Sequence, residues 1–329
     1  MNKVLIQLNV LLLVSVILLC ETSCTNPTTQ KQNTDSTTLK GNISISGAFA
    51  LYPMVVTWAE VFQKEHPDVK IDISAGGAGK GMTDVLKGMV DIAMVSREVK
   101  QEEIQQGAWY IAVAKDAVLP VINTANPVME EINKKGIRKS QLEELFTKNQ
   151  LITWGKLYNS NIQSVINIYT RADACGAGEM WAKYFGKKQE DLSGIGVYGD
   201  PGVADAVKKD INGLGYNNVI YAYDVKSRKP YPNMAVIPID LNNNGILDAS
   251  ENFYQNLDSV ENAIRTGRYP SPPARELYLV TKGKPSNPVI YAFYQWILTE
   301  GQKYINEGGY VKLTDENIHE QLEKLNRNE

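Results

Sequence analysis

The amino-acid sequence predicts an α/β fold with a largely parallel sheet. Its 329 residues, 43% of them hydrophobic, suffice for one large or two medium domains with real cores. From Gly41 onward, short apolar segments alternate with amphipathic segments of helical period. Glycine-rich loops stand where predicted strands run into predicted helices. Repeated strand–loop–helix units of this kind are typical of α/β proteins.

The segment before this pattern predicts export from the cytoplasm. Lys3 and the amino terminus form a small positive region, and Val10–Leu19 is apolar but too short to cross a bilayer as a helix. We therefore expect residues 1–23 to be a signal peptide.

A membrane anchor is predicted to follow the signal peptide. Cys24 comes after a small residue and before a polar tract, which resembles a bacterial lipoprotein processing site with Cys24 as the lipidated residue. Glu21 stands where such sites usually carry an apolar residue, so ordinary secretion with cleavage nearby is the alternative. Residues 24–40 would then be a lipid anchor and flexible tether facing the periplasm or the exterior, because they are polar and lack an apolar period.

The elements follow in order along the rest of the chain. The predicted strands are Ile43–Ile45, Val69–Ile73, Asp91–Met94, Tyr110–Ala114, Val165–Tyr169, Val219–Ala222, Ala235–Ile239 and Leu277–Thr281. The predicted helices are Pro53–Glu65, Met82–Lys87, Glu102–Gln106, Ser140–Phe146, one from Glu179, Pro201–Lys209, Leu257–Thr266 and Asn287–Leu298.

Three glycine-rich loops are candidate anion sites. Glycine lets the backbone approach a ligand, and the start of the following helix offers unpaired N–H groups and partial positive charge. Any one such loop is more often only a tight turn, but Lys80 lies in one and Arg171 in another. Arg171 could hold two oxygens of an oxyanion while Asp173 orients it, or the two could be a surface ion pair. The loops are 46–53, 74–81 and 169–179.

The overall charge of the chain excludes general electrostatic attraction as the means of binding an anion. The formal net charge is -3, so the chain has no general attraction for nucleic acid or for anionic lipid. An anion must be bound by local geometry, and no nucleic-acid partner is expected.

A second motif predicts a structural calcium site. Residues 240–251 match the twelve-residue calcium loop, with Gly245 at its sixth position. Three carboxylates suit millimolar extracellular calcium, and a polar turn is the alternative. No pair of flanking helices is evident, so we expect an isolated loop. The expected ligands are Asp240, Asn242, Asn244, the Ile246 carbonyl, Asp248 and Glu251.

An ordered set of motifs resembles one family. The set consists of GAFALYP (47–53), GGAGKG (76–81), VDIAMVSR (90–97), RADACGAGEMW (171–181), RYPSPPARELYLV (268–280) and EGGYVKL (307–313). From about Gly41 to Leu313 the chain is similar to the phosphate-binding proteins of ABC transporters.

The resemblance implies the type II periplasmic-binding fold, in which an anion is held in a cleft between two α/β lobes. Lobe 1 would comprise residues 41–123 and 267–329, and lobe 2 residues 124–266 with the calcium loop. Such proteins bind phosphate by hinge closure and deliver it to a permease in the membrane. The resemblance also implies that the protein is a monomer and that it binds its ligand without catalytic residues.

The implied ligand positions depart from the family pattern. Family members usually present hydroxyls where this chain has Ala50, Ala78, Cys175 and Ala177. Either backbone N–H groups, together with Lys80, Ser96 and Arg171, replace these donors, or the ligand is a different anion: sulfate, molybdate, tungstate or a small carboxylate. The implied ligand-binding residues are Ala50, Leu51, Ala78, Lys80, Ser96, Arg171, Asp173, Cys175, Gly176 and Ala177.

Two other classes of protein compete with this interpretation. A lipid-anchored hydrolase could use Cys175 as nucleophile, but the two histidines, His66 and His319, lie outside the glycine-rich loops. A calcium-dependent surface module would leave the three loops unexplained. We therefore expect the protein not to be an enzyme.

Overall fold

The computed structural model describes residues 39–327. The predicted signal peptide, Cys24 and nearly all of the predicted tether lie outside the described residues. No helix within residues 39–327 is both long enough and apolar enough to cross a membrane.

Within residues 39–327, nine strands form one sheet and two short strands form another. The large sheet has the order β2-β1-β3-β11-β4-β8-β6-β7, with β9 also paired to β4, and β10 pairs with β5. The strands are β1 (Gly41–Gly47), β2 (Val69–Ala75), β3 (Ile92–Val95), β4 (Ala108–Ile122), β5 (Ile137–Arg138), β6 (Asn167–Arg171), β7 (Ile195–Val197), β8 (Gly213–Asn218), β9 (Ala235–Val236), β10 (Ile239–Asp240) and β11 (Ala274–Lys282).

The helices connect these strands. They are α1 (Tyr52–Glu65), α2 (Ala78–Leu86), α3 (Gln101–Gln105), α4 (Met129–Lys135), α5 (Lys139–Thr147), α6 (Trp154–Tyr158), α7 (Gly176–Tyr184), α8 (Gly199–Lys209), α9 (Val219–Ala222), α10 (Leu257–Arg265), α11 (Pro288–Leu298) and α12 (Asp315–Asn326). Two 3₁₀ helices cover 189–191 and 300–304. The predicted α/β class is confirmed, with β1 parallel to β2 and β3, and β6 parallel to β7 and β8.

The strand β4 links the two halves of the large sheet. Residues 108–117 of β4 pair antiparallel with β11, and residues 118–122 pair antiparallel with β8. One strand therefore belongs to both halves, as a hinge strand does.

Buried apolar side chains form two cores. The first core takes side chains from residues 43–114 and 277–325, together with Ile220. The second core takes side chains from residues 117–274, together with Val311. Both β4 and β11 contribute side chains to one core at one end and to the other core at the other end. The lobe boundaries predicted at 123/124 and 266/267 stay a prediction.

Two predicted strands differ from the structure. Val219–Ala222, a predicted strand, forms the short helix α9. The preceding segment, GLGYNN, forms the strand instead, and its residues 214–218 pair with β4. Ala235–Ile239 is also not one strand, because β9 and β10 belong to different sheets.

Candidate anion-binding site

The three glycine-rich loops meet at one edge of the sheet. Parallel strands place their carboxyl ends together, so the loops after β1, β2 and β6 converge. The N–H groups of Gly76 and Gly77 donate to the Gly47 carbonyl at 2.9 and 3.0 Å. The Gly79 N–H donates to the Ala174 carbonyl at 3.2 Å, which joins the second loop to the third across the two cores.

Two glycines allow this close approach. Gly77 has φ of 90°, and a Cβ there would lie 2.6 Å from the Ala174 carbonyl oxygen. A Cβ at Gly176 would lie 2.3 Å from Ser96 Oγ and 2.4 Å from the Ser96 carbonyl oxygen. A larger residue at either position would hold the loops apart.

Arg171 is the buried charge at the centre of the site. Its side chain is 1% exposed. Its Nε donates to Asp173 Oδ1 at 2.8 Å, its Nη2 to Asp173 Oδ2 at 2.5 Å, and its Nη1 to Asp200 Oδ2 at 2.5 Å. A guanidinium has five N–H groups, so two remain for a ligand.

Burial and charge act in opposite directions at Arg171. Burial alone would lower the pKa of the guanidinium, but Asp200 and Asp173 raise that pKa above its ordinary value. Burial raises the pKa of Asp200, although Arg171 opposes the shift. Arg171 is therefore charged at every accessible pH.

Further donors face the same place. Within residues 39–327, Ser96 Oγ makes no hydrogen bond, and the N–H groups of Gly176 and Ala177 have no acceptor. Ser96 and Ala177 are each 2% exposed. Unpaired backbone donors in the first turn of a helix favour an anion. Arg171, the start of α7 and Ser96 together can surround a small oxyanion.

Lys80 and Arg97 point to other partners. Lys80, 53% exposed at its side chain, pairs with Asp84 one helical turn further on. Arg97 pairs with Glu103 at 2.6 Å and with Glu179 of α7 at 3.1 Å. Lys80 thus forms an ion pair within α2, and Arg97 is an ion-pair partner that links the residues after β3 to α7.

The positions that lack hydroxyls are buried and close to the loops. Ala50 and Ala78 are at most 1% exposed, and Leu51 is fully buried at the start of α1. Cys175 caps α7, since its Sγ accepts the Gly178 N–H at 3.2 Å. Burial raises the pKa of the Cys175 thiol to about 12, so it is protonated at neutral pH.

Sequence reasoning missed several side chains at this site. Asp200, Asn218 and Arg275 have no local signal other than the place of Arg275 in the RYPSPPARELYLV motif. Phe49 lies in the first loop, and the Arg171 guanidinium carbon is 5.4 Å from the centre of its ring. Phe49 also meets Tyr198 edge to face at 5.8 Å, so Tyr198 supports the ring that covers the guanidinium.

The predicted calcium loop folds around its first and last carboxylates. Asp240 Oδ1 accepts the Asn244 N–H at 3.2 Å, and its Oδ2 accepts the Gly245 N–H at 2.8 Å. Glu251 Oε1 accepts the Asn242 N–H at 2.9 Å. Asp240 is 1% exposed and Glu251 is 4% exposed.

The remaining expected ligands of this loop are turned towards one another. Asp248 Oδ2 accepts Nδ2 of Asn242 at 2.6 Å and Nδ2 of Asn244 at 2.9 Å. The Ile246 N–H donates to Asn244 Oδ1 at 2.8 Å. Among residues 39–327, no group of three His, Cys, Asp or Glu side chains is arranged to hold a metal ion. The carboxylates of this loop therefore do not converge in the structure.

Comparison with known proteins identifies relatives along most of the chain. A model of the PBP superfamily domain matches residues 31–300. The phosphate-binding protein PstS of Bacillus subtilis is 26% identical over 316 residues, which cover 94% of this chain and 95% of the relative. PstS of Pseudomonas aeruginosa is 24% identical over 303 residues, which cover 84% of each chain.

Solved structures share the fold. A putative phosphate ABC transporter substrate-binding protein from Clostridium perfringens, solved with bound phosphate, has a TM-score of 0.67 at 23% identity and covers 83% of this chain and 100% of its own. An ABC-type phosphate transport receptor from Vibrio cholerae has a TM-score of 0.60 at 19% identity, with 82% and 100% covered. The predicted two-lobed periplasmic-binding fold is confirmed.

Proposed function

Because the chain belongs to the PBP superfamily, we propose that it is the extracytoplasmic substrate-binding subunit of an ABC transporter and binds phosphate or a related oxyanion. The observation that carries the proposal is the buried Arg171, which keeps two N–H groups free beside the start of α7 and Ser96. A desolvated anion needs charge-assisted hydrogen bonds of this kind. The names of the relatives support phosphate as the first ligand to test.

The cleft would bind by hinge closure. Loops of both cores supply donors, and β4 belongs to both halves of the sheet. A ligand that contacts loops of both cores binds the closed state more tightly than the open state, and it therefore favours closure. One chain supplies both sides of the cleft, so the protein would act as a monomer with a membrane permease as its partner.

A different anion is the second candidate. The four positions without side-chain hydroxyls, Ala50, Ala78, Cys175 and Ala177, are all buried. Each missing donor costs roughly 1–3 kcal/mol if it leaves a ligand oxygen unpaired. Sulfate, molybdate, tungstate or a small carboxylate could suit the less polar pocket better than phosphate.

A thermal-shift panel separates these ligands. The protein is titrated with phosphate, sulfate, molybdate, tungstate and small carboxylates, with and without calcium. An anion at 100 times its Kd should stabilise the folded state by about 2.7 kcal/mol. We expect phosphate to raise the Tm. A shift with another anion and none with phosphate would reject phosphate, and no shift with any anion would reject the function.

A binding role without catalysis agrees with the thiol chemistry of the site. A Cys175 nucleophile would need a thiolate, whereas burial raises the pKa of this thiol to about 12. His66 packs against Phe62 at 4.5 Å, and His319 pairs with Glu323 at 3.2 Å. Neither histidine is a base for Cys175. Hydrolysis lost in Cys175→Ser would revive the enzyme alternative.

Membrane attachment through Cys24 is part of the proposal and is supported by the sequence alone. The polar residues after Cys24 would let the lobes reach the permease while the lipid holds them at the membrane. Cys24→Ala should move the protein from the membrane fraction to the soluble fraction. A wild-type protein found only in the soluble fraction would favour ordinary secretion instead.

We also propose that calcium orders residues 240–251. The spacing of the oxygen ligands supports it, and the two Asn side chains need only turn their amides to direct Oδ1 away from the backbone. Asp248 would exchange its two amide donors for the cation. The two positive charges of the ion would offset most of the negative charge of the three carboxylates and fix this loop in the second core.

Calcium removal should therefore lower the stability of the protein. We expect a chelator to lower the Tm, and we expect millimolar calcium to restore it. Asp240→Asn should abolish this response because it removes a buried ligand, while Asp205→Asn on exposed α8 surface should keep it. An identical Tm with calcium and with chelator would contradict the site.

A further inference from the structure

A chain of buried polar groups connects the anion site to the hinge strand. Arg171 Nη1 donates to Asp200 Oδ2 at 2.5 Å, and Asn218 Nδ2 donates to Asp200 Oδ1 at 2.5 Å. Asn218 Oδ1 accepts in turn from Nη2 of Arg275. Arg275 in β11 is paired with Asp116 in β4. The chain thus runs from the end of β6 to the strand shared by both halves of the sheet.

The chain ends on two polar atoms without partners. Within residues 39–327, neither Asp116 Oδ2 nor Arg275 Nη1 makes a hydrogen bond, although both are buried. The side chain of Asp116 is 0% exposed and that of Arg275 is 3% exposed. Asp116 Oδ2 lies 3.5 Å from Arg275 Nη2, which is beyond a good hydrogen bond. This ion pair is incompletely satisfied, and a buried carboxylate in that state gains from protonation.

The buried charges along the chain do not balance. Arg171 and Arg275 carry two positive charges, while Asp173, Asp200 and Asp116 carry three negative charges when ionised. The net buried charge is then negative before any anion arrives. An anion beside Arg171 adds further negative charge in a desolvated place, where repulsion is strong. One proton on a carboxylate would relieve that repulsion.

Asp116 is the carboxylate best placed to accept the proton. Burial raises the pKa of Asp116 to about 6, and Arg275 in β11 opposes the shift while Asp200 in α8 adds to it. Tyr221 in α9 and Tyr310 near the C-terminus also interact with it. Burial raises the pKa of both tyrosines, so they stay neutral. Asp200 is less suited, because Arg171 and Asn218 both donate to its carboxylate.

We propose that this protein binds its anion together with one proton, which Asp116 takes up as the anion enters the cleft. The inference rests on the proposed function and adds that one proton accompanies the bound anion. The proton comes from solvent and binds a carboxylate oxygen of Asp116. Once Asp116 is neutral, it no longer balances the positive charge of Arg275. That charge then offsets the negative charge of the anion, to whose site Arg275 is joined by Asn218 and Asp200. Asp116 is a positioning residue, since it need not contact the ligand.

The sign of the pH dependence follows from this coupling. An anion that raises the proton affinity of Asp116 must bind more tightly when Asp116 is protonated. Affinity should therefore fall as pH rises above about 6, by up to roughly tenfold per pH unit while one proton is taken up. Asp116→Asn, which is always neutral, should show only the change in affinity that the titration of phosphate itself supplies.

Calorimetry of the full protein with inorganic phosphate tests the inference. Titrations at pH 7 and 8 in buffers of different ionisation enthalpy give the number of protons taken up per phosphate. The change in protonation of phosphate itself contributes equally in wild type and in Asp116→Asn. Wild type should therefore take up nearly one proton more per phosphate than the variant. Asp72→Asn, on the exposed side of β2, should keep the wild-type number.

The outcomes separate this inference from the proposed function. Phosphate binding with equal proton numbers in wild type and Asp116→Asn would overturn the inference and leave the function intact. The absence of phosphate binding in wild type, with no thermal shift from any other anion, would overturn both. If Asp116→Asn does not fold, the proton number of wild type alone decides: a value no larger than phosphate ionisation supplies would overturn the inference.

Discussion

Replacing Arg171 with Gln is expected to weaken phosphate binding by at least about 100-fold. Two N–H groups of the guanidinium remain for the ligand, and each hydrogen bond to a charged group contributes about 1.5–3 kcal/mol. Their combined loss corresponds to two or more powers of ten in Kd. Calorimetry with inorganic phosphate measures this effect. An unchanged Kd in a folded Arg171→Gln protein would place the anion site elsewhere.

The same substitution should also destabilise the protein. A companion variant is therefore needed to separate a loss of affinity from a loss of folding. Asp173 and Asp200 are 9% and 2% exposed at their side chains, so both would lose their partner in the interior. Removal of one member of a buried ion pair costs about 3–5 kcal/mol. Arg171→Lys keeps a positive charge but not the fork geometry, so we expect a folded protein with intermediate affinity. Arg138→Gln, at an exposed arginine, is the matched control.

Replacing Gly176 with Ala is expected to prevent closure of the cleft. The new Cβ would lie 2.4 Å from the Ser96 carbonyl oxygen, and a backbone atom cannot turn aside. Ser96 follows a strand of the first core, whereas Gly176 begins a helix beside the second core. The clash therefore acts between the cores and leaves each one intact. We expect at least about tenfold weaker phosphate binding with little loss of thermal stability.

Small-angle scattering distinguishes a blocked closure from a damaged loop. Wild type should become more compact when phosphate is added, and Gly176→Ala should not. Gly196→Ala is the matched control, because its Cβ would meet only Ala172, 3.3 Å from the Ala172 Cβ. Phosphate-induced compaction in Gly176→Ala equal to that of wild type would show that Ser96 and Gly176 need not approach in the bound state.

Local sequence patterns predicted most of the elements at the site. Strands β1, β2 and β3 and the helices after the first two lie within a few residues of the predicted positions. Periodicity and glycine placement depend on neighbours in the chain, so they can be read without tertiary contacts. The boundary at β8 was wrong because GLGYNN has low strand propensity, and pairing with β4 overrides it.

The partners of the charged residues could not be predicted in the same way. The role of Lys80 at the ligand stays a prediction, whereas the ion pair of its ammonium with Asp84, one turn along α2, is seen only in the structure. Arg171 was expected to pair with Asp173, and it does, but its second carboxylate, Asp200, lies 29 positions further along the chain. Asp116 and Arg275 meet only because β4 and β11 pair in the sheet.

The sequence by itself determined the α/β class, the glycine-rich loops and Arg171 as the central charge of the candidate site. Each of these depends on residue type and local spacing, which fix backbone freedom and the start of a helix. Tertiary structure alone decided that Arg171 is held by two carboxylates, and that a buried polar chain joins it to the hinge strand. Those contacts join residues far apart in the chain, and their strength depends on burial, which no local pattern specifies.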